Sequence, residues 1–271
     1  MPRFPVMDFK GLQRKFFMGP RAITLVVVLA LLLLSGLSVS ILPTARAATR
    51  KQAPARTYTT KFPLKENPIS ESGNWINGKA VGLDWTDVQT TPGLAFGTES
   101  GTSGYDDSTA VVTGTWGPDQ WAQATVHLTN QQGGTIYEEV ELRLRSAITA
   151  HKITGYEINF QASGASNAYV QIVRWNGPLG NFTYVTDRNG PGLHDGDVVK
   201  AMIQGSTITV YLNGTQILQG TDGTYASGAP GMGFFLQGAT GLNADYGFTN
   251  FTASDGVNAP LPPTNLSGNV H

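Results

Sequence analysis

Two glutamates and two arginines alternate along one short stretch of the chain. Glu139, Glu141, Arg143 and Arg145 occupy every second position, and the positions between them are apolar. Side chains two residues apart in a β-strand lie on the same face, about 6.6 Å apart along the strand. Two carboxylates on one face are what cleavage of a glycosidic bond requires. The arginines would keep both carboxylates ionised, which disfavours a general acid and leaves a solvated ladder of paired charges as the alternative.

Elimination on a uronic acid is a second chemistry that the polar residues could perform. It needs a cation or amide beside the sugar carboxylate and a base that removes the neighbouring proton. Gln123, His127 and Gln171 would supply these groups if they share a face with Arg143 and Arg145. Gly-x-Ser-x-Gly, His-Glu-x-x-His and phosphate-binding loops are missing from the sequence, so serine hydrolase, zinc protease and nucleotide-dependent functions have no support.

Carbohydrate binding without chemistry needs aromatic rings and planar polar groups. Sugars stack their apolar faces on rings and form hydrogen bonds with amides and carboxylates. Tyr169 and Tyr184 are candidate rings beside two tryptophans, of which Trp175 ends a strand at a turn. A tryptophan in a β-sandwich can equally belong to the core. The predicted ligand-binding set is Trp121, Gln123, Glu139, Glu141, Arg143, Asn159, Gln171 and Trp175.

Acidic side chains cluster in one glycine-rich segment of the chain. Asp187, Asp195 and Asp197 lie there, and Asp106 and Asp107 lie in a second loop. Hard oxygen ligands on loops suit calcium, but aspartate is also common in turns. Calcium at Asp187, Asp195 and Asp197 is therefore the one candidate cofactor, with turn formation as the alternative.

Strand-length segments follow one another from Ile69 to Asp255, and none shows a helical pattern. Apolar and polar residues alternate in Trp121–Thr129 and Gly155–Gln161 as they do around Glu139, so each strand has one apolar face and one polar face predicted to be solvated. Asn213-Gly214 is the preferred pair for a tight hairpin turn. The pattern predicts an all-β domain at 69–255, built as a two-sheet antiparallel jelly-roll sandwich.

The two ends of the chain differ from this central domain. A basic lead, an apolar run and Ala45-Arg46-Ala47 predict a secretory signal peptide at 1–47, with an uncleaved membrane anchor as the alternative. Residues 48–68 are polar and proline-bearing, which predicts a linker, and 256–271 are predicted to be a disordered proline-rich tail. Either interpretation of the first segment places the domain outside the cytoplasm, and only an uncleaved segment would attach it to a membrane.

Charge and cysteine content narrow the partners and the compartment. The 271 residues carry 18 Lys and Arg against 19 Asp and Glu; six of the basic and one of the acidic residues fall in 1–47, which leaves a net charge of −6 on the rest. An acidic domain is a poor partner for nucleic acid. The chain has no cysteine, so the exported domain depends on its core alone, which fits a secreted or cell-surface protein of bacteria.

Four passages together resemble the concanavalin A-like lectin/glucanase superfamily, particularly its laminin G-like bacterial members. Their order along about residues 70–255 carries the resemblance, which implies a jelly roll but not one function, since the superfamily holds lectins, hydrolases, lyases and adhesive modules. The passages are Glu139–Arg145, Ala168–Trp175, Ile208–Gly214, and Gly231–Phe235 followed by Asp245–Phe251.

The chain departs from the enzymes of that superfamily. The β-glucanases carry Glu-x-Asp-x-x-Glu on one strand, whereas Glu139 and Glu141 are followed here by Leu144, so the last acid is missing. The Gln-x-His and Tyr-Phe-Lys segments of the alginate lyases are also missing. The resemblance therefore predicts an exported carbohydrate-binding or adhesion module without catalytic activity, acting on a polysaccharide or glycan. A polysaccharide lyase or glycoside hydrolase is the alternative.

Overall fold

The computed structural model describes residues 55–102, 104–130 and 135–256. The predicted signal peptide or anchor at 1–47 and the tail beyond Gly256 lie outside these residues. Within the described ranges, no helix has the length and apolar character that a membrane crossing needs. The described chain is almost entirely β-structure, with two short 3-10 helices at Lys79–Val81 and Asn243–Asp245. The strands are β1 (Thr57–Thr60), β2 (Trp75–Asn77), β3 (Gln89–Thr91), β4 (Leu94–Phe96), β5 (Ser108–Val112), β6 (Gln120–Leu128), β7 (Tyr137–Thr149), β8 (Lys152–Gln161), β9 (Tyr169–Gly177), β10 (Phe182–Asn189), β11 (Val198–Gln204), β12 (Thr207–Leu212), β13 (Thr215–Thr221), β14 (Ala229–Gln237) and β15 (Tyr246–Ser254).

The strands form two antiparallel sheets, which confirms the all-β two-sheet sandwich that the alternation and the superfamily resemblance imply. The eight-stranded sheet has the order β13-β12-β11-β6-β15-β4-β3, and β1 also pairs with β15. The seven-stranded sheet has the order β10-β9-β8-β7-β14-β5-β2. Antiparallel neighbours can be joined by short turns, and Asn213 and Gly214 make such a turn with φ of 51° and 79° between β12 and β13.

The core between the sheets consists of the apolar residues that the alternation predicts. From β6 it receives Ala122, Ala124, Val126 and Leu128, and from β7 it receives Val140, Leu142 and Leu144. Aromatic rings of β8, β14 and β15 fill the space between them, namely Tyr156, Phe160, Phe234, Tyr246, Phe248 and Phe251. Each strand keeps a fixed face toward this core because its side-chain period is two.

The predicted linker is wrong for its last part. Thr57–Thr60 form β1, whose residues pair with Ser254 to Phe251 of β15, and Phe62 is completely buried in the core. Threonine and tyrosine favour strands, but a four-residue strand among lysines and prolines shows too little alternation to be recognised. The folded domain therefore begins upstream of the predicted boundary at Ile69.

The two ends of the described domain meet at one point. The backbone N–H of Arg56 donates to Oδ1 of Asp255 at 2.6 Å, and the N–H of Asp255 donates back to the carbonyl of Arg56 at 3.1 Å. The other carboxylate oxygen of Asp255 accepts from the N–H of Gly117. The guanidinium of Arg56 also lies 4.4 Å from the ring of Trp116. These contacts close the sandwich beside the start of β6.

Candidate functional site

A groove of about 270 Å³ opens on the outer face of the seven-stranded sheet, the face that points away from the core. Alternate residues of β7, β8 and β9 form its floor, because their neighbours in sequence face the core. The register places Asn159 of β8 opposite Gln171 of β9, and the amide nitrogen of Asn159 donates to Oε1 of Gln171 at 3.2 Å. The lining residues are Tyr105, Asp107, Tyr137, Glu139, Glu157, Asn159, Tyr169, Gln171, Val173, Trp175, Phe182, Tyr184, Phe235 and Gln237.

Exposed aromatic rings form one wall of the groove. The ring of Phe182 lies 5.3 Å from the rings of both Tyr105 and Tyr184. Tyr105 is 52% exposed and Tyr184 is 55% exposed, which is high for rings of this size. Tyr184 was a candidate from the sequence, whereas Tyr105 and Phe182 were missed. Tyr105 lies in a loop outside the strands, where no periodic pattern marks it.

Trp175 lies beneath this wall and is not an open stacking surface. It is only 3% exposed, and its ring contacts Phe182 at 5.2 Å and Trp85 at 4.5 Å between centroids. Its indole N–H donates to Oε2 of Glu157 at 2.6 Å. A small apolar cluster, formed by Leu83, Trp85, Ile153, Val173 and Trp175, thus covers part of the outer face. Trp175 supports the groove from below, as a core residue does.

Two members of the predicted ligand-binding set lie in the other sheet. Trp121 and Gln123 belong to β6 and point away from the core of the eight-stranded sheet. The ring of Trp121 is buried under the ammonium of Lys200, at 4.9 Å. His127 lies on the same strand, so the predicted shared face of Gln123 and His127 with Arg143 and Gln171 is wrong. Strand order decides this, because β6 and β7 are consecutive in the chain but belong to different sheets.

The predicted solvated charge ladder is wrong, because a buried ion cluster takes its place. Arg143 is 0% exposed, and its guanidinium donates to Glu141 at 2.5 Å, to Glu157 at 2.8 Å and to Asp107 at 3.2 Å. Carboxylate oxygens of the three acids lie within 4.8 Å of one another. The ring of Trp85 lies 5.0 Å from the guanidinium.

Arg145 takes no part in this cluster. A bulge interrupts the pairing of β7 with β8 after Leu144, and Arg145 has a positive φ of 47°. Its guanidinium donates to the carbonyls of Pro118 and Tyr225 instead. The expectation that two arginines neutralise Glu139 and Glu141 therefore fails for Arg145.

Burial dominates the electrostatics of the acids. It raises the pKa of Glu139 to about 7, and Arg143 and the hydroxyl of Tyr169 oppose this shift only in part. Burial also raises the pKa values of Asp107 and Glu141 well above their ordinary range. Burial lowers the pKa of Arg143, but the surrounding carboxylates outweigh it and raise that pKa overall. Burial thus opposes the full ionisation of Glu139 and Glu141 that the sequence predicts, since desolvation disfavours the charged form.

Gly233 of β14 leaves the space that the ion cluster occupies. A Cβ at this position would lie 2.2 Å from Oε2 of Glu141 and 2.7 Å from Nη2 of Arg143. We expect Gly233→Ala to lower the free energy of unfolding by about 1–3 kcal/mol through overpacking, measured by urea titration. Gly223→Ala is the matched control, because its nearest atom outside the chain neighbours would lie at 3.5 Å. Equal unfolding midpoints for both variants would contradict the expectation.

Two of the three aspartates proposed for calcium accept hydrogen bonds from the protein. Asp195 accepts from the N–H of Leu128, and Asp197 accepts from the N–H of His194 and the amide of Asn213. Asp187 is exposed on β10. In the described ranges, the three-carboxylate group close enough for a metal is Asp107, Glu141 and Glu157, which holds Arg143 instead. Calcium at Asp187, Asp195 and Asp197 stays a prediction.

No protein-family model matches the chain, and no curated protein does. Solved structures that align with it include the carbohydrate-binding module CBM66 from Bacillus subtilis, at 17% identity over 64% of this chain and 95% of that chain, with a TM-score of 0.43. The β-porphyranase BpGH16B from the human gut bacterium Bacteroides plebeius is 12% identical over 75% of this chain and 94% of that chain, with a TM-score of 0.42.

A third aligned structure is the GlcNAcα1-4Gal-releasing endo-β-galactosidase from Clostridium perfringens. It is 10% identical over 77% of this chain and 64% of that chain, with a TM-score of 0.48. By name, the three proteins bind or cleave carbohydrate. At TM-scores below 0.5 the similarity assigns no ligand to this chain.

Proposed function

We propose that the domain is an exported, non-catalytic module that binds a glycan in the groove of the seven-stranded sheet. The observation that carries this proposal is the wall formed by the exposed rings of Tyr105 and Tyr184 and the half-buried ring of Phe182, beside a floor of amides and carboxylates. A sugar ring has an apolar face that stacks on aromatic groups and an edge of hydroxyls that needs polar partners. The signal-like segment at 1–47 supports action outside the cytoplasm.

The size and openness of the groove fit part of a longer chain. Ligand pockets usually measure about 300–1,000 Å³, and this groove lies just below that range at about 270 Å³. Asn159 and Gln171 offer side-chain amides in its floor, and Glu139 offers a carboxylate. A short stretch of a polysaccharide would thus lie across β7, β8 and β9 while the rest remained in solvent.

Hydrolysis requires two carboxylates that both reach the glycosidic bond. Glu141 is completely buried, and the position of the third acid in the β-glucanase pattern is occupied by Leu144, which faces the core. Oε2 of Glu157 accepts bonds from both Arg143 and Trp175, while its other oxygen accepts from Asn159 at 3.4 Å. Glu139 is therefore the acid best placed to touch a ligand, which favours binding over cleavage.

One observation favours a polysaccharide-degrading enzyme as the second candidate. The pKa of Glu139, raised by burial to about 7, suits a general acid at neutral pH. If the groove is catalytic, incubating the protein with a polysaccharide panel releases reducing ends or unsaturated uronates, and Glu139→Gln abolishes the release. Either product would overturn the non-catalytic proposal.

The wall of rings provides the direct test of binding. We expect Tyr105→Ala and Tyr184→Ala each to weaken binding to a glycan identified on an array by about 10-fold, because each removes roughly 1.4 kcal/mol of stacking. Isothermal titration calorimetry measures the affinity. Tyr211→Ala is the matched control, since Tyr211 lies on β12 of the other sheet, beside Lys200. If all three variants bind alike, the groove is not the binding site.

A further inference from the structure

The groove is lined by acids and by no base. Asp107, Glu139 and Glu157 contribute to its lining, and none of the described lining residues is a lysine, arginine or histidine. The guanidinium beneath the floor, that of Arg143, is fully buried and engaged by three carboxylates. It presents no positive charge to a ligand. A sugar carboxylate or sulfate entering this groove would meet like charge and find no cation to neutralise it.

An unpartnered acceptor in the floor is an independent indication of the ligand. Asn159 is only 5% exposed, and its Oδ1 has no hydrogen-bond partner among the residues that the structure describes. The amide nitrogen of the same side chain is used internally, by Gln171 and Glu157. A buried acceptor without a donor costs free energy, so a ligand that brings an N–H or O–H to this position gains by satisfying it.

The charges around the floor of the groove favour one kind of hydrogen-bond donor over another. Three acids, Asp107, Glu141 and Glu157, bind the single guanidinium of Arg143, and Glu139 is a further acid in the lining of the groove, so carboxyl groups outnumber the cation. A hydroxyl satisfies an acceptor without changing this balance. An ammonium donates up to three hydrogen bonds and also brings a positive charge next to these acids, which favours their ionised forms.

We propose that the groove selects sugar chains that carry protonated amines, such as polymers of a deacetylated amino sugar, over neutral and acidic chains. This inference rests on the proposed glycan-binding function and names the class of glycan. Glu139 is the carboxylate that pairs with the ammonium, because it lines the groove and, unlike Asp107, Glu141 and Glu157, forms no salt bridge with Arg143. The oxygen of Asn159 accepts a second hydrogen bond from the sugar.

Three oligosaccharides of equal length test this selectivity: glucosamine oligomers, their N-acetylated counterparts and galacturonic acid oligomers. Titration calorimetry at neutral pH and low salt is expected to give at least about 10-fold tighter binding of the amine than of the acetylated chain, with galacturonate weakest. Added salt is expected to reduce this preference, since it screens an ion pair.

Charge-removing variants assign the preference to one side chain. Glu139→Gln removes the charge and keeps the shape of the side chain, so we expect the affinity for the amine oligomer to fall to that for the acetylated oligomer or below, and the preference for the amine to disappear. Asp84→Asn is the control, because Asp84 is exposed and lies outside the groove.

The outcomes separate the two proposals. Equal binding of the amine and acetylated chains, or preference for galacturonate, overturns the amine selectivity and leaves glycan binding intact. A preference that survives Glu139→Gln also overturns it. Failure to bind these oligomers and any glycan on an array overturns the proposed function itself.

Discussion

Arg143→Met is expected to destabilise the domain by about 3–5 kcal/mol at neutral pH, because it leaves three buried carboxylates without their cation. The guanidinium donates to Glu141, Glu157 and Asp107, and no described lysine or arginine other than Arg143 has a salt bridge to these acids. Methionine fills much of the volume but supplies neither charge nor hydrogen bonds. Urea unfolding followed by tryptophan fluorescence measures the loss, and Arg143→Lys should fall between wild type and Arg143→Met.

Arg174→Met is the matched control for this substitution. Arg174 also forms an ion pair, at 2.5 Å to Asp222, but its side chain is partly exposed to solvent. Partly solvated pairs contribute about 1 kcal/mol or less. An unfolding midpoint for Arg143→Met equal to that of Arg174→Met would show that the buried cluster does not depend on its cation. Acidification should reduce the difference, because protonated carboxylates need no counter-charge.

Stability is expected to fall as the pH rises from about 4.5 to about 8, with Glu99 as a main source. Burial raises the pKa of this residue from its ordinary 4.5 to about 8, although the N–H of Ser108 donates to one carboxylate oxygen. In the described part of the chain, the other carboxylate oxygen of Glu99 has no hydrogen-bond partner. In this window the unfolded chain releases the proton of Glu99 while the folded chain retains it. The unfolded state then binds fewer protons, so the free energy of unfolding decreases with pH.

Glu99→Gln isolates this contribution. Glutamine imitates the protonated acid, so the variant should lose less stability between pH 5 and pH 8, by on the order of 4 kcal/mol if the whole shift is expressed. Urea titrations at both pH values provide the comparison. Glu139, with a pKa of about 7, contributes a smaller decrease of the same sign in both proteins. Asp187→Asn, a change at an exposed position of β10, should follow the wild type. Parallel pH profiles for wild type and Glu99→Gln would refute the assignment.

The sequence predicts the two layers of the fold because apolar residues at every second position of a strand show which face of that strand packs against the core. Val140, Leu142 and Leu144 are all fully buried, and the strands that carry such runs were recognised. Strands β2 to β5 were not recognised. Each has three to five residues, which is too short for alternation to show. Among them, β4 pairs with β15 and β5 pairs with β14, strands that lie far away in the chain, whereas β3 forms a local hairpin with β4.

The candidate site was predicted only in part, for a related reason. Alternation places Glu139, Asn159 and Gln171 on the polar faces of their strands. It cannot show which other parts of the chain cover a polar face. Asp107 reaches Arg143 across 36 residues of sequence, and with Trp85 it converts the expected solvated ladder into a buried cluster. Similarly, Trp121 and Trp175 look equivalent in the sequence. The order of the strands, which local patterns do not encode, places them in different sheets.

The hydrogen bonds between Arg56 and Asp255 hold the two ends of the domain together, which has a mechanical consequence. Tension applied to the chain on both sides of the domain acts across the ladder of β1 and β15. It breaks the backbone hydrogen bonds of this ladder one pair at a time. Tension applied parallel to two paired strands would instead have to break all the hydrogen bonds between them at once. When its two ends are pulled apart, the domain would therefore unfold first at β1. The groove lies on the other sheet, so this first step would leave the ligand in place.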